Sequence, residues 1–341
     1  MSTRHRIAIV GLGMALKPHL RSLEELAARV DIGACYTPSA ARRQAFAAVH
    51  KHPLAEDLDR VLSDRTIDCV LVLTPPNTHL ELVEKCAAAG KHVLLEKPID
   101  GSVVRARRAV EAMERRGLKL AVVLQHRFRA VSRRLAELVR SGELGRLISG
   151  SASIRWWRTP EYFAQPGRGM KARDGGGVLL TQAIHTLDLF QSLAGPIAKV
   201  AGFAATSPQR SIDTEDIVGA GILFANGAIG TIDATSVAYP GFPEHIELVC
   251  EKGTALLNAE TLDVFFRDGR HLREGGAPSN SGGADPMAFS HEAHKALIAD
   301  FLDALDQDRA PATSGREALK VQVLIEALLR AAAEGRTVEV A

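Results

Sequence analysis

At 341 residues the chain exceeds what a single compact core holds and suits two domains. Hydrophobic residues at 46%, charged residues at 24% and a formal net charge of +2 describe an ordinary globular protein, and with no basic tail or block they argue against a nucleic-acid or membrane partner. Cys35, Cys69, Cys86 and Cys250 lie far apart without metal or redox spacing, no apolar run reaches membrane-spanning length, and Gly11 and Gly13 break the first apolar stretch too early for a signal peptide, so a cytoplasmic protein is expected.

The run Arg6-Ile7-Ala8-Ile9-Val10 leads directly into Gly11-Leu12-Gly13, after which Leu16, Leu20, Leu23, Ala27 and Val30 recur at helical spacing. A strand, a glycine turn and an amphipathic helix are the setting a dinucleotide requires. Gly11 permits the bend, Gly13 lets the backbone approach a pyrophosphate at the helix start, and Met14 adjoins it. The third fingerprint position carries Leu16 in place of glycine or alanine. The second strand, 32–36, lacks the acid that would receive ribose hydroxyls; Tyr36-Thr37-Pro38-Ser39 follows, then Arg42 and Arg43. Hydroxyls with a guanidinium suit a 2′-phosphate, which makes Thr37, Ser39 and Arg42 candidate contacts and favours NADP over NAD.

A third buried strand, 67–73, stops at Thr74-Pro75-Pro76-Asn77-Thr78-His79, where Asn77 or Thr78 can cap a helix over 80–89. Ligands of parallel sheets sit at such strand ends, so Thr74, Pro75, Asn77 and His79 are expected to border the cofactor. The next strand, 92–95, ends abruptly in Glu96-Lys97-Pro98. Proline accepts a cis bond at modest cost, and a tight turn there would aim the Lys97 ammonium, with Glu96 beside it. A helix over 102–116 and a strand over 119–124 complete a doubly wound parallel sheet, domain 1–123.

From Gln125-His126-Arg127-Phe128 onward the grammar changes, with Gln125 still counted among the cofactor neighbours. A helix over 132–140 precedes an alternating strand through Ile148, Ala152, Ile154 and Trp156. Residues 200–266 repeat that alternation, with Asn226-Gly227 and Asp268-Gly269 as hairpin signals, which predicts an α+β domain over 124–341 built on an antiparallel sheet. Between the strands, Gly175-Gly176-Gly177 opens a helix on which Leu180, Ile184 and Leu187 share one face and Thr181, His185 and Asp188 another. A histidine flanked by a hydroxyl and a carboxylate suits proton transfer, or equally a buried structural contact; no metal trio is evident. The composition of 274–283 reads as a mobile surface loop, a lid or an oligomer-facing segment. Helices over 288–305 and 315–333 close the chain, with His291 and His294 expected in solvent.

Gly11-Leu12-Gly13, Thr74-Pro75-Pro76-Asn77-Thr78-His79, Glu96-Lys97-Pro98 and the Gly175-Gly176-Gly177 helix with His185 and Asp188 resemble the ordered motifs of the glucose-fructose oxidoreductase, inositol dehydrogenase and rhizopine-catabolism (Gfo/Idh/MocA) family. The resemblance implies an α/β chain: a Rossmann domain, then a domain with a large, mostly antiparallel open sheet that carries the substrate and joins subunits into a homodimer or homotetramer. It also implies NAD(P)-dependent oxidation or reduction of a sugar or cyclitol hydroxyl, with Lys97 and His185 at the catalytic positions. His185 would act as general base, Lys97 would stabilise the alkoxide, and Asp188 would orient either; the first two roles can be exchanged. Arg127, Trp156, Trp157 and Asp174 are candidate sugar contacts. Thr181 stands where many members have an acid, which keeps open a non-catalytic cofactor or sugar sensor and, separately, an NAD-dependent glycosidase.

Overall fold

In the computed structural model, which describes residues 4–276 and 290–341, the N-terminal alternation forms a six-stranded parallel sheet. Its strands are β1 (His5–Val10), β2 (Val30–Tyr36), β3 (Leu54–Ala55), β4 (Cys69–Val72), β5 (His92–Leu95) and β6 (Leu120–Val122), in the order β3-β2-β1-β4-β5-β6. All four residues of β4 are buried, as a strand covered on both faces demands. The covering helices are α1 (Leu16–Glu25), α2 (Ala40–Val49), α3 (Leu58–Ser63), α4 (His79–Ala88) and α5 (Val103–Glu114). Leu16, Leu20 and Leu23 form the buried stripe of α1. The chain leaves β1 toward β2 on one side and returns to β4 on the other, so the order reverses there. Such a reversal opens a crevice at the carboxyl ends of the strands.

The second unit starts at Gln125. It contains α6 (Ala130–Arg140), the short helices α7 (Pro160–Phe163) and α8 (Lys171–Asp174), and α9 (Ile184–Ala194). Its sheet has nine strands: β7 (Leu147–Arg155), β8 (Ile197–Ala205), β9 (Ile217–Phe224), β10 (Ile229–Thr235), β11 (His245–Cys250), β12 (Gly253–Asn258), β13 (Thr261–Phe266), β14 (His271–Gly275) and β15 (Val338–Glu339). The order is β14-β13-β12-β11-β7-β10-β9-β8-β15, antiparallel except between β10 and β7. Asn226-Gly227 turns β9 into β10 as its chemistry requires: Gly227 takes a φ of +89°, and Asn226 Oδ1 accepts the Ala228 N–H at 3.0 Å. One face of the sheet is buried, and Phe190 of α9 meets Phe224 of β9 edge to face at 5.7 Å.

The C-terminal helices, α10 (Glu292–Asp306) and α11 (Gly315–Glu334), depart from the expected division at 123/124. Ser290–Leu319 belongs to the first unit, and only Lys320–Ala341 to the second. The reason is specific contact: Arg29 pairs with Asp303 at 2.7 Å and Asp306 at 2.9 Å, and the Val122 N–H donates to the Thr313 carbonyl at 2.9 Å. His291 and His294, expected in solvent, are buried on this seam. His291 Nε2 lies 2.8 Å from Glu25, and hydrogen bonding from Lys295 does most to hold the Glu25 carboxyl down at about 2. Residues 277–283 of the glycine-rich loop lie outside the described residues, and Glu274 and Gly275 end β14. Among the described residues no helix is long and apolar enough to cross a membrane.

Candidate active site

Gly11 ends β1 at a φ of +108°, and a Cβ there would lie 2.7 Å from the Leu73 carbonyl carbon. Only glycine fits. A Cβ on Gly13 would meet nothing within 4 Å, so the turn presents bare backbone to open space, a cradle that fits a dinucleotide pyrophosphate. Met14 beside it is exposed. At the end of β2 Thr37 is buried, and its carbonyl accepts from Arg43 Nη1 at 2.7 Å. Ser39 caps α2 by accepting the Arg42 N–H at 3.3 Å, while the Arg42 guanidinium stands in solvent.

Beyond β4 Thr78 stands at the N-cap of α4, but neither it nor Asn77 supplies a side-chain capping hydrogen bond. The Thr78 hydroxyl donates instead to the Pro75 carbonyl at 2.8 Å and lies 2.7 Å from Thr74 Oγ1, from which it can accept. Thr74 is half-buried, and Pro75 and Asn77 are exposed. His79, expected to border the cofactor, has no exposed surface at all: Nε2 faces the Thr74 carbonyl at 2.8 Å and Nδ1 the Pro98 carbonyl at 2.9 Å. It braces two loops and does not line the crevice. Burial, the largest influence, pushes its pKa below the usual 6.5, while the two carbonyls and the charges of Glu96 and Asp100 act in the opposite direction.

At the end of β5 Lys97 is half-buried, and the Lys97–Pro98 bond is cis. Glu96 turns back on its own backbone: one oxygen accepts the Lys97 N–H at 2.8 Å, and the other lies 3.3 Å from His19 Nε2. His19 meets His294 edge to face at 5.0 Å, and the ligand atoms of His19, Glu96 and His294 lie within 4.8 Å of one another. That donor set, capable of holding a cation, had no spacing in the sequence to reveal it.

In the second unit the helix carrying His185 is not one regular α-helix. Leu179–Ala183 winds as a π-turn before α9 begins, so the expected i, i+4 ladder is interrupted between Thr181 and His185. The Thr181 hydroxyl donates to the Gly177 carbonyl at 2.7 Å. Glu215 accepts the Gly177 and Leu179 N–H groups at 3.2 and 3.1 Å, and burial raises its pKa above the ordinary 4.5. The close approach foreseen at the glycines is therefore backbone: a Cβ on Gly177 would sit 1.9 Å from the Glu215 carbonyl oxygen.

His185 is 8% exposed and lies 5.1 Å, ring to ring, from His126. His126 Nε2 sits 2.7 Å from Arg129 Nη2, and because a guanidinium only donates, Nε2 accepts and the proton of the neutral ring is on Nδ1. Arg129 in turn pairs with buried Glu244 at 2.5 Å. Asp188, 1% exposed, receives both arms of the Arg127 guanidinium at 2.6 Å, a partner that the sequence reading had not given it. Two donors of Arg127, a candidate sugar contact, are thus engaged with protein. His126, Arg129, Glu215 and Glu244 went unnoticed because single residues far apart in the chain carry no periodic signal.

Gln125 is buried, and its Oε1 has no hydrogen-bond partner among the described residues. Trp156 is buried under the Arg158 guanidinium at 4.9 Å, whereas Trp157 is half-buried against Tyr239 at 5.6 Å, so the two indoles diverge as an extended segment requires. Asp174 is buried, accepts the Gly169 N–H at 2.8 Å, and lines a small pocket with Tyr162, Phe163, Thr181, Gln182 and Glu215.

Residues 5–124 match the oxidoreductase family with an NAD-binding Rossmann fold, GFO/IDH/MocA, and residues 132–256 match the C-terminal domain of the same family. A D-apiose dehydrogenase of Paraburkholderia graminis is 28% identical over 98% of this chain and 90% of its own. An inositol 2-dehydrogenase of Rhizobium meliloti is 26% identical over 98% of this chain and 99% of its own. Among solved structures, the WlbA dehydrogenase of Bordetella pertussis, in complex with NADH and UDP-GlcNAcA, superposes with a TM-score of 0.86 at 26% identity, covering 99% of this chain and 98% of that one.

Proposed function

The chain belongs to the Gfo/Idh/MocA oxidoreductase family, and from that premise we propose that it oxidises or reduces a CH–OH carbon of a sugar, cyclitol or sugar derivative. The observation that carries the reading is the glycine turn at the sheet's switch point, closed to any side chain at Gly11 and open at Gly13. Gly11, Gly13, Met14, Thr74, Pro75, Asn77 and Gln125 are the residues that would hold the dinucleotide. When bound, the nicotinamide supplies the hydride acceptor or donor. His185 takes or returns the hydroxyl proton, and the Lys97 ammonium stabilises the developing alkoxide; the two roles are exchangeable. His126, neutral and accepting at Nε2, places no second positive charge beside the His185 ring.

NADP is the proposed cofactor in preference to NAD. Its support is the absence of an acid after β2 together with the exposed Arg42 guanidinium. Cytoplasmic location is proposed from the four cysteines, all free and buried, with burial pushing Cys35 and Cys86 up to about 12. The outward face of the nine-stranded sheet exposes Ile217, Leu223, Ile229 and, at 84%, Phe203, and the proposed homodimer or homotetramer covers these side chains.

A panel of free sugars, inositols and nucleotide-sugars, each assayed with NAD and NADP, tests the reading on wild type, Lys97→Met and His185→Asn. Turnover of at least one substrate is expected, with a loss of about 10²- to 10⁴-fold in kcat for either variant. Full turnover in Lys97→Met would remove the lysine from the chemistry, and a lower KM for NAD than for NADP would overturn the assignment to Arg42.

A further inference from the structure

His19 lies in the first turn of α1, the helix that follows the glycine turn, and its side chain is fully buried. Its Nε2 is 3.3 Å from one oxygen of Glu96. An ionised carboxylate only accepts, so in this contact Nε2 carries the proton and donates. Nδ1 has no hydrogen-bond partner among the described residues, so Nε2 is the ring's polar attachment. The other oxygen of Glu96 accepts the Lys97 N–H at 2.8 Å. Two hydrogen bonds in series therefore run from α1 through Glu96 to the backbone of Lys97. A glutamate has three rotatable bonds and samples many rotamers when nothing ties it. The buried imidazole favours the rotamer whose far oxygen reaches back to the Lys97 N–H.

Resting on the reading that Lys97 does chemistry, we propose that His19 is a positioning residue: its Nε2–H holds the Glu96 carboxylate where it caps the Lys97 N–H, and so steadies the turn that aims the ammonium. His19 touches neither substrate nor reacting atoms in this role and acts through Glu96. Glutamine and methionine are of like length, and only glutamine brings an N–H donor to the place of Nε2. Asparagine reaches only the place of Nδ1, where there is no partner to meet it.

The test compares His19→Gln, His19→Met and His19→Asn by three measurements: hydrogen exchange of the Lys97 amide without substrate, NADH affinity by fluorescence titration, and kcat. His19→Met should speed exchange at the Lys97 amide and lower kcat, each about ten-fold, the scale of one lost hydrogen bond, with NADH affinity held. His19→Asn should match it, and His19→Gln should stay at the wild-type level in all three. In a Glu96→Ala background, His19→Met should cost nothing further, because the residue through which it acts is gone. Equal values in the Gln and Met variants, additive losses with Glu96→Ala, or a loss of NADH affinity in place of kcat would each overturn the role and make His19 a packing residue of α1. Lys97→Met, run alongside, separates the failures. Retained turnover there refutes the chemistry assigned to Lys97 and leaves the exchange measurement to judge His19, whereas lost turnover with no split between Gln and Met refutes only the role of His19.

Discussion

Asp188 shows how a single residue is decided by partners that no local pattern displays. A carboxylate 1% exposed stays ionised only if its charge is met, and the Arg127 fork meets it at two distances of 2.6 Å. Arg127→Ala strips that fork from a buried charge and should cost about 3–5 kcal/mol of stability, read as a lower urea midpoint. Arg127→Lys should recover part of the loss, since an ammonium cannot bind both oxygens in one plane. An unchanged midpoint in Arg127→Ala would mean that the pair is not what keeps Asp188 buried. The sequence offers Arg127 as a candidate sugar contact and sets His185 and Asp188 on one helix face. It did not show which guanidinium faces which acid, because 61 residues separate the two partners.

At the scale of elements, the turn between Gly175 and α9 depends on Glu215, whose carboxylate accepts two backbone N–H groups ahead of the π-turn. Burial raises its pKa above 4.5, so between that value and its folded-state pKa the native protein binds more protons than the unfolded chain. Stability contributed by the protonated group is full below 4.5 and is lost as pH rises through the raised value. Glu215→Gln removes the titration while keeping one acceptor oxygen. The urea midpoint of Glu215→Gln relative to wild type should therefore climb as pH is raised from about 4 to 7. A difference that is flat over that interval would contradict the assignment. The elements themselves were largely legible: β1, the glycine turn and α1 follow from an apolar run, a bend and a 3.6-residue stripe. β3 and α3 escaped notice because β3 has only two residues, neither buried, and α3 only six. The π-turn escaped notice because an inserted residue in a helix changes the backbone ladder and leaves the composition unaltered.

For the whole molecule, the outward face of β8, β9 and β10 carries Phe203, Ile217, Leu223 and Ile229 with the small residues Gly219 and Gly221 between them. Phe203→Glu places a charge in the middle of this apolar face and should shift sedimentation from an oligomer to a monomer while leaving NADH affinity intact. A wild-type chain that sediments as a monomer would refute the oligomer. Some properties were determined by the sequence alone: an α/β chain in two parts, a parallel sheet opening on a glycine turn, an antiparallel sheet with an Asn-Gly hairpin, and a short set of polar residues at strand and helix ends. These are properties of neighbours in the chain, fixed by periodicity, turn stereochemistry and the exclusion of a Cβ. Only the tertiary structure decided that Ser290–Leu319 completes the first unit, that His291 and His294 are buried, that His79 braces instead of lining, and that Glu215 fills the space the glycines leave. Each of those is a pairing between residues far apart in the chain, and such a pairing is selected by which buried donors, acceptors and charges can satisfy one another once the chain has closed.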